Sequence, residues 1–159
     1  MGHSITQSRG FTLIELILVL LIVSILSIYA MIRFPGNGIN LSAQTDQIVA
    51  DIRHTQSLAI NRGQRYRINF SSDRYWISNI DNTVSYIHPA SGTSTILLDT
   101  GIALTTTHGF LVFDGAGAPY TNTLTPGSAL AADAVVTLSE SGETHTIRVS
   151  PETGRVIKP

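Results

Sequence analysis

The apolar residues of this chain form two regions with different patterns. From Phe11 to Ile32 the sequence runs through 22 residues with a single charge, at Glu15. As a helix that rises ~1.5 Å per residue, this run extends roughly 33 Å, which is enough to cross the hydrocarbon of a bilayer. The pattern therefore predicts a membrane helix over residues 11–34. Glu15 is its anomaly, because an ionised side chain in hydrocarbon costs on the order of 3 kcal/mol.

A break in the pattern follows the apolar run. Residues 33–40 contain one proline, two glycines and two asparagines, a composition that favours a kink or a melted segment. We assign residues 35–41 to a linker. A second helix is expected to begin at Leu41 or Ser42 and to end just before Gly63, since serine is a good helix cap and glycine a common helix terminator.

The second helix has one apolar face, which we expect to lie on a β-sheet. The residues of this face recur at helical spacing and are Ile48, Val49, Ile52, Thr55, Leu58 and Ala59. The polar residues expected to face water or neighbouring protein chains are Asp46, Asp51, Arg53, His54 and Gln56.

From Gln64 onward, short runs of alternating polar and apolar residues are separated by turn residues, which is typical of antiparallel strands. The clearest hairpin joins residues 65–70 to residues 74–78. Further strands are predicted over residues 84–88, 95–98, 102–105, 110–113, 134–138, 144–149 and 155–157. Residues 118–133 are rich in Thr, Ala, Pro and Gly and are predicted to form a surface loop. A long helix followed by such strands predicts an α+β globular domain over residues 42–159, with the helix packed on an antiparallel sheet.

Composition narrows the classes of function. The chain has 159 residues, of which 43% are hydrophobic and 13% charged, and its net charge is -1. These values fit one anchored domain with a modest core and do not suggest a general polyanion binder. Cysteine is absent, so the domain must be held by packing rather than by disulfides.

A polar segment, residues 1–10, precedes the apolar run and ends in Arg9 and Gly10. A secretory signal has a shorter apolar core with its small-residue cleavage site after that core, whereas here the small-residue junction comes first. A plain membrane anchor explains the length of the run but neither Glu15 nor Gly10. The segment from Gly10 to Leu16 resembles the processing motif of the type IV pilin and pseudopilin superfamily.

The resemblance implies that residues 1–10 are a leader removed by a prepilin peptidase, which cuts after Gly10. It also implies that the new terminal residue, Phe11, is N-methylated and that Glu15 takes part in filament assembly. A carboxylate in the second turn of a helix that starts at Phe11 suits the helix dipole. In a bundle of staggered copies, Glu15 of one subunit can approach the Phe11 amine of the next.

Opposite charges at ~4 Å attract by several kcal/mol at an effective dielectric constant near 20, so the Glu15 and Phe11 pair is a predicted assembly clamp. The competing interpretation is an anchor helix whose Glu15 snorkels toward the membrane surface.

Three later segments, residues 51–63, 110–119 and 146–156, are similar to landmarks of the H-type minor pseudopilins and the FimT-like minor pilins. The last two also look like the MshC class of minor pilins of mannose-sensitive haemagglutinin pili. The resemblance implies a structural minor subunit, not an enzyme, that acts in assembly or tip formation of a type IV pilus or a type II secretion pseudopilus.

The resemblance also implies partners and a location. The partners are other major and minor pilin or pseudopilin subunits, the prepilin peptidase and the inner-membrane assembly platform. The chain would cross the bacterial inner membrane once, with a cytoplasmic N-terminus and a periplasmic domain, before it enters the filament. A membrane-tethered periplasmic domain that does not polymerise is the alternative.

The residues themselves give little support for an enzyme, a cofactor or a metal site. The five histidines are scattered, without a pair at i and i+4, and are expected to be isolated surface residues. Asp114–Gly117 favours a hairpin turn over a phosphate loop, because no lysine follows it. Residues 81–83 offer oxygen ligands for calcium but are too few for a site. We assign no catalytic residue, no cofactor and no metal ligand.

Nucleic acid is an alternative ligand, since some FimT-like minor pilins bind DNA. The candidate contacts are Arg62, Arg65, Arg67 and Arg74, with Arg53 nearby and with Tyr66, Tyr75 and Trp76 interleaved. Such residues supply phosphate contacts and base stacking. The competing interpretation is an ordinary surface on which the arginines pair with Asp46, Asp51 and Asp73. A smaller candidate patch near the C-terminus consists of Arg148, Arg155 and Lys158.

Overall fold

The computed structural model describes residues 12–33, 37–89, 91–121 and 129–159. The chain divides into two compact units, Met1–Gly36 and Asn37–Pro159. The described part of the first unit is one helix, α1, over Leu13–Arg33. Among the described residues, no helix combines the length and the apolar character needed to cross a membrane.

The second unit begins with helix α2, Asn37–Arg62. It starts earlier than the predicted Leu41 or Ser42, so residues 37–41 of the expected linker are helical. Asparagine and glycine are both common at helix starts, so the residues at positions 37 and 38 do not prevent the helix from beginning there. Gly63, at φ +59°, ends α2 as predicted.

The end of α2 has the hydrogen bonds of a Schellman motif. The N–H of Gln64 donates to the carbonyl oxygen of Ala59 at 3.2 Å, and the N–H of Gly63 donates to that of Ile60 at 3.3 Å. These two bonds satisfy carbonyl groups that the helix end would otherwise leave free.

Nine strands follow and form two antiparallel sheets. The strands of the first sheet are β1 (Tyr66–Phe70), β2 (Arg74–Asn79), β3 (Ile96–Leu97), β5 (Phe110–Phe113) and β6 (Pro119–Tyr120), in the order β3-β2-β1-β5-β6. Those of the second sheet are β4 (Ala103–Thr106), β7 (Ala134–Glu140), β8 (Glu143–Val149) and β9 (Val156–Ile157), in the order β4-β7-β8-β9. The predicted α+β class is confirmed, with two sheets in place of one.

Most predicted strands are present, but two assignments were wrong. Residues 84–88 do not form a strand and touch β2 through a single bridge, between Ser85 and Ser78. Strand β6 lies inside the region that was predicted to be a loop. The hairpin of β1 and β2 is confirmed, with Ile68 opposite Ile77.

Helix α2 packs against both sheets and completes one core. It contacts β1 and β5 of the first sheet and β7, β8 and β9 of the second. Ile48 and Ile52 on the apolar face of α2 are fully buried, as are Ile68 in β1 and Ile147 in β8. Burial of side chains of this size stabilises the fold by about 2 kcal/mol each, so the core fixes α2 relative to the turns at the sheet ends.

Candidate functional site

The first helix has a polar cap at its start. Thr12 directly precedes α1, and its Oγ1 and carbonyl oxygen lie 3.4 and 3.1 Å from the donating backbone N of Glu15. Threonine followed three residues later by glutamate is the capping-box pattern, which satisfies donors that a helix start leaves free. The sequence contains this pattern, although only the superfamily motif was recognised in it.

Glu15 lies in the first turn of α1 and is exposed. The prediction of a second-turn position was wrong, because α1 begins at Leu13 rather than at Phe11. A carboxylate in the first turn is closer to the positive end of the helix dipole. Gly10 and Phe11, the predicted cleavage and methylation positions, lie outside the described residues.

In the second unit, Gln56 joins α2 to two turns at the ends of the sheets. Its Nε2 donates to the carbonyl oxygen of Gly117 at 2.8 Å and to that of Thr153 at 2.9 Å. A glycine with positive φ stands in each turn, at +84° for Gly117 and +62° for Gly154. The side chain predicted to face outward therefore holds three parts of the chain together.

These contacts bring the three sequence landmarks to one place. Gln56 belongs to residues 51–63, Gly117 to residues 110–119, and Gly154 to residues 146–156. The landmarks therefore meet at a junction that α2 makes with one turn from each sheet. Their spacing along the chain did not predict this meeting.

The turn after β5 is organised by Asp114. Its Oδ1 accepts from the backbone N–H groups of Ala116 and Ala118, both at 2.9 Å. A phosphate loop needs such amides to be free for the ligand, whereas here the carboxylate of Asp114 already occupies them. The predicted hairpin turn is confirmed, since β5 and β6 pair on either side of it.

Asp51 is buried, in contrast to its predicted outward position. It is 4% exposed; its Oδ2 accepts from the Tyr75 hydroxyl at 2.6 Å, and its Oδ1 lies 2.7 Å from His88 Nε2. Burial, together with the hydrogen bond to Asp51, raises the pKa of Tyr75 far above its usual range. Asp51 follows Ile48 by three residues and precedes Thr55 by four, so helical spacing already placed it on the buried face.

His88 corrects the expectation that the histidines are isolated surface residues. It is 7% exposed, in the segment between β2 and β3. Its contact with Asp51 ties this segment to α2. No sequence signal marks His88, because residues 84–88 were predicted to be a strand and nothing local indicates that the imidazole meets Asp51 of α2.

Two of the four candidate arginines for nucleic acid lie far apart and are engaged within the chain. Arg62 donates to the Tyr66 hydroxyl at 3.0 Å, and its guanidinium lies 5.4 Å from the centre of the Tyr86 ring. Arg74 forms an ion pair with the adjacent Asp73 at 2.7 Å. Because Tyr66 and Arg74 stand at opposite ends of the β1 and β2 hairpin, these two arginines do not form one patch.

The other two arginines lie nearer to each other. Arg67 is on the outward face of the first sheet, where its Nε donates to Asn69 Oδ1 at 2.6 Å and its guanidinium lies 4.3 Å from the centre of the Phe110 ring. Burial lowers the pKa of Arg67 from its usual range. Trp76 pairs with Asn69 across the strands and shares this face. Arg65 precedes β1 directly and is half-buried.

The C-terminal basic residues are also separated. Arg148 lies 4.0 Å from Asp133, whereas Lys158 pairs with Asp46 of α2 at 2.8 Å. The expectation that the candidate arginines pair with nearby acids is confirmed for Asp73, which pairs with Arg74, and is wrong for Asp46, whose partner is Lys158. Asp51 does not pair with an arginine.

Two of the three residues considered for calcium use their side-chain oxygens within the fold. Asn82 Oδ1 accepts from Trp76 Nε1 at 3.0 Å, and Thr83 Oγ1 accepts from Asn79 Nδ2 at 2.8 Å. Within the part of the chain that the structure describes, no three His, Asp or Glu side chains are grouped to hold a metal ion.

Two family models match the chain and together span most of it. Residues 5–31 match the prokaryotic N-terminal methylation motif, and residues 44–154 match the type II transport protein GspH. The chain belongs to the GspH family. The later match includes the first two landmarks and residues 146–154 of the third, and the earlier one includes Gly10, Phe11 and Glu15.

One protein of related sequence and two solved structures are similar to this GspH-family chain. It is 35% identical over 100 residues to the competence protein ComGD of Bacillus subtilis, covering 62% of this chain and 69% of ComGD. The minor pseudopilin EpsH from the type 2 secretion system of Vibrio cholerae is 13% identical, with a TM-score of 0.57 over 76% of this chain and 96% of EpsH. The type IV minor pilin FimU of Pseudomonas aeruginosa is 12% identical, with a TM-score of 0.52 over 74% of this chain and 91% of FimU.

The structural likeness confirms the pilin fold. Together with the family matches, it identifies the GspH-family chain as a structural minor pilin or pseudopilin of the type IV superfamily. Its family and fold are those of structural subunits and not of enzymes. Similarity to the MshC class stays a prediction.

Proposed function

We propose that this chain is made as a precursor, cut after Gly10 by a prepilin peptidase, methylated at Phe11 and built into a type IV pilus or a type II secretion pseudopilus. One observation carries the proposal: Glu15 stands in the capped first turn of α1, inside the match to the methylation motif. Cleavage after Gly10 would place a cationic amine four residues before this carboxylate.

Glu15 supplies the assembly step in this proposal. Its carboxylate is exposed in α1, so it is available to the terminal amine of a neighbouring subunit. A charge pair at ~4 Å in a medium of intermediate dielectric constant is worth several kcal/mol. That energy draws membrane-inserted subunits into register before their globular domains meet.

The proposal includes a membrane stage. This stage is inferred from the sequence and from the match to the methylation motif rather than from the described helices. In it, the apolar run from Phe11 to Ile32 inserts in the bacterial inner membrane as a single pass, with the leader in the cytoplasm and Asn37–Pro159 in the periplasm. Arg9 on the leader side agrees with the excess of basic residues that cytoplasmic flanks carry. The prepilin peptidase and the inner-membrane assembly platform are the partners at this stage, and other major and minor subunits follow.

Substitution of Glu15 tests the proposal against a tethered domain that does not polymerise. The full-length chain is produced in cells that assemble the filament, as wild type, Glu15→Ala and Glu143→Ala, the last being an exposed carboxylate in β8. We expect at least a tenfold loss of Glu15→Ala from sheared filaments and none for Glu143→Ala. Mass spectrometry of the wild type should find a methylated Phe11 at the N-terminus. Normal incorporation of Glu15→Ala, or an intact N-terminus at Met1, would support the tethered domain.

DNA binding is a second candidate function, favoured by the outward face of the first sheet. There Arg67 lies over Phe110 beside Trp76, which combines a cation with aromatic rings. The similarity to a protein named for competence points in the same direction. Binding to single-stranded DNA should weaken with salt and fall in Arg65→Ala and Arg67→Ala, while Arg74→Ala serves as the control. Equal affinity of all the variants for DNA would exclude the outward face of the first sheet as the DNA-binding site.

A further inference from the structure

A basic cleft lies between α2 and the edge strand β9. Its volume is about 530 Å³, and it is lined by Arg53, Gln56, Arg155, Val156, Ile157 and Lys158. Three of these six residues are cations and none is acidic. The sequence suggested a basic patch near the C-terminus but gave no sign that Arg53 of α2 belongs to it.

Contacts between the two walls of the cleft fix their spacing. Arg53 Nη2 donates to the carbonyl oxygen of Val156 at 3.1 Å. A side chain of α2 therefore bonds a backbone carbonyl group of the edge strand β9. At the other end of the cleft, Lys158 Nζ lies 2.8 Å from Asp46 and 3.2 Å from Ser42 Oγ. These contacts join α2 to the C-terminal strand on both sides of the cleft, so the fold fixes the position of its two walls.

Charge in the cleft is not balanced. Lys158 has a carboxylate partner in Asp46, whereas among the described residues neither Arg53 nor Arg155 has a carboxylate within 4.0 Å. Both arginines are exposed. Two guanidinium groups beside one cleft repel each other weakly. Each also binds carboxylates well, because it presents a planar fork of hydrogen-bond donors.

The other lining residues favour a protein ligand over a nucleic acid. Sites for single-stranded nucleic acid combine cations with aromatic rings on which bases stack, and no aromatic residue lines this cleft. Ile157, at 36% exposed, offers an aliphatic contact beside the arginines. The chain carries a net charge of -1, which does not favour a long polyanion.

We infer that the cleft binds an acidic segment of a neighbouring pilin subunit, whose carboxylates pair with Arg53 and Arg155 while its apolar atoms contact Ile157. The inference rests on the proposed function, since it names a contact made within the filament or during its assembly. It commits to a different subunit rather than a second copy, because the acidic residues of this chain are scattered, with no two consecutive in the sequence, and so offer no acidic segment to the cleft.

Site-specific cross-linking in whole cells tests this contact. The full-length chain carries the photoreactive residue p-benzoylphenylalanine at position 157, and the cross-linked peptides are identified by mass spectrometry. We expect an adduct with an Asp- or Glu-rich peptide of another pilin subunit. Arg155→Glu should lower the yield at least tenfold, and a reversed charge on the partner segment should restore it.

Matched variants separate charge from folding. Arg155→Glu is the main variant because the Arg155 side chain has no ion-pair partner among the described residues, whereas Arg53→Glu also removes the bond to Val156. Arg74→Glu, at an exposed arginine outside the cleft, should leave the yield unchanged. An adduct with DNA alone, with a second copy alone, or with no subunit would overturn the inference, as would an unchanged yield in Arg155→Glu.

The outcome is distinguishable from failure of the proposed function. Cross-linking in whole cells reports on the cleft whether or not the chain reaches a filament, and Glu15→Ala reports on incorporation whether or not the cleft is occupied. If incorporation into filaments depends on Glu15 but position 157 gives no subunit adduct, the proposed function stands and the inference about the cleft fails. If position 157 gives the adduct but incorporation does not depend on Glu15, the proposed function fails and the contact at the cleft stands.

Discussion

The side-chain amide of Gln56 lies where a side chain on Gly154 would have to be. An ideal Cβ on Gly154 would stand 2.6 Å from Gln56 Nε2, a distance that real Cβ atoms do not adopt. The same amide donates to the carbonyl oxygen of Thr153, the residue before Gly154. Gln56 of α2 therefore contacts two adjacent residues of the landmark over residues 146–156, Thr153 and Gly154, and this contact requires a glycine at position 154.

Gly154→Ala should destabilise the globular unit by ~3 kcal/mol, because it combines a positive φ with a crowded site. Its Cβ would also meet the carbonyl oxygen of Gly117 at 2.8 Å, and backbone cannot move aside as a side chain can. Gly63→Ala is the matched control: φ is +59° there, but nothing lies within 4 Å of the new Cβ. Its cost should be ~1 kcal/mol. Urea unfolding of residues 37–159 measures both, and equal costs would contradict the role of Gln56.

Gln56→Ala should cost ~2 kcal/mol, since it leaves two turn carbonyls without their donor. It should also make room for a side chain at Gly154. We therefore expect the double variant to be more stable than the sum of the two single changes predicts, by about 1 kcal/mol in a double-mutant cycle. Strict additivity would mean that the cost of Gly154→Ala comes from its positive φ and from the Gly117 carbonyl oxygen and Phe113, and not from Gln56.

The sequence was sufficient for the elements whose pattern is local. The hairpin of β1 and β2 follows from alternation around a tight turn, and the end of α2 follows from Gly63. Residues 84–88 have a similar apolar content, yet Val84 and Ile87 are 65% and 64% exposed. Their pattern resembled a strand, but only a pairing partner makes a strand, and β2 gives this segment one bridge.

The candidate site was less predictable, because its residues come together only through tertiary packing. Glu15 was identified from its motif alone. Gln56 was expected to face outward because glutamine is polar, and nothing local indicates that two turns would meet its amide. Asp51 is the opposite case: its spacing from Ile48 predicts burial whereas its charge predicts exposure, and the structure follows the spacing.

The buried contact between Tyr75 and Asp51 predicts how stability changes at alkaline pH. Burial is the main reason that the pKa of Tyr75 is raised, and the hydrogen bond to Asp51 and its charge add to it. A tyrosine in the unfolded chain ionises near pH 10. The stabilising contribution is therefore complete below about pH 10 and is lost progressively as the pH rises above it.

Tyr75→Phe isolates this contribution. Above pH 10 the wild type should lose ~1.4 kcal/mol more per pH unit than Tyr75→Phe, the slope for one extra proton released on unfolding. Below that pH the variant should be less stable by ~2 kcal/mol, since it leaves Asp51 without one hydrogen bond to its carboxylate. Urea unfolding of residues 37–159 from pH 7 to 11 gives both values. Parallel pH profiles would show that Tyr75 ionises normally in the folded protein.

The turn after β2 offers a spectroscopic test of the outward face of the first sheet. Trp76 is the sole tryptophan of the chain, and its Nε1 donates to Asn82 Oδ1 at 3.0 Å. Asn82 also accepts from Ser78 Oγ at 2.9 Å and has a φ of +56°. Its amide oxygen therefore fixes the indole against the sheet.

Asn82→Gly keeps the backbone conformation, because glycine adopts positive φ freely, and removes both hydrogen bonds. We expect tryptophan fluorescence to shift to longer wavelength as the indole gains water, with a loss of ~1–2 kcal/mol in the free energy of unfolding. Asp81→Gly, at the exposed neighbour, should leave the emission maximum unchanged. An unshifted spectrum in Asn82→Gly would mean that packing rather than Asn82 holds Trp76. The DNA-binding candidate would then depend on an indole fixed by its neighbours on the sheet, with no contribution from the turn.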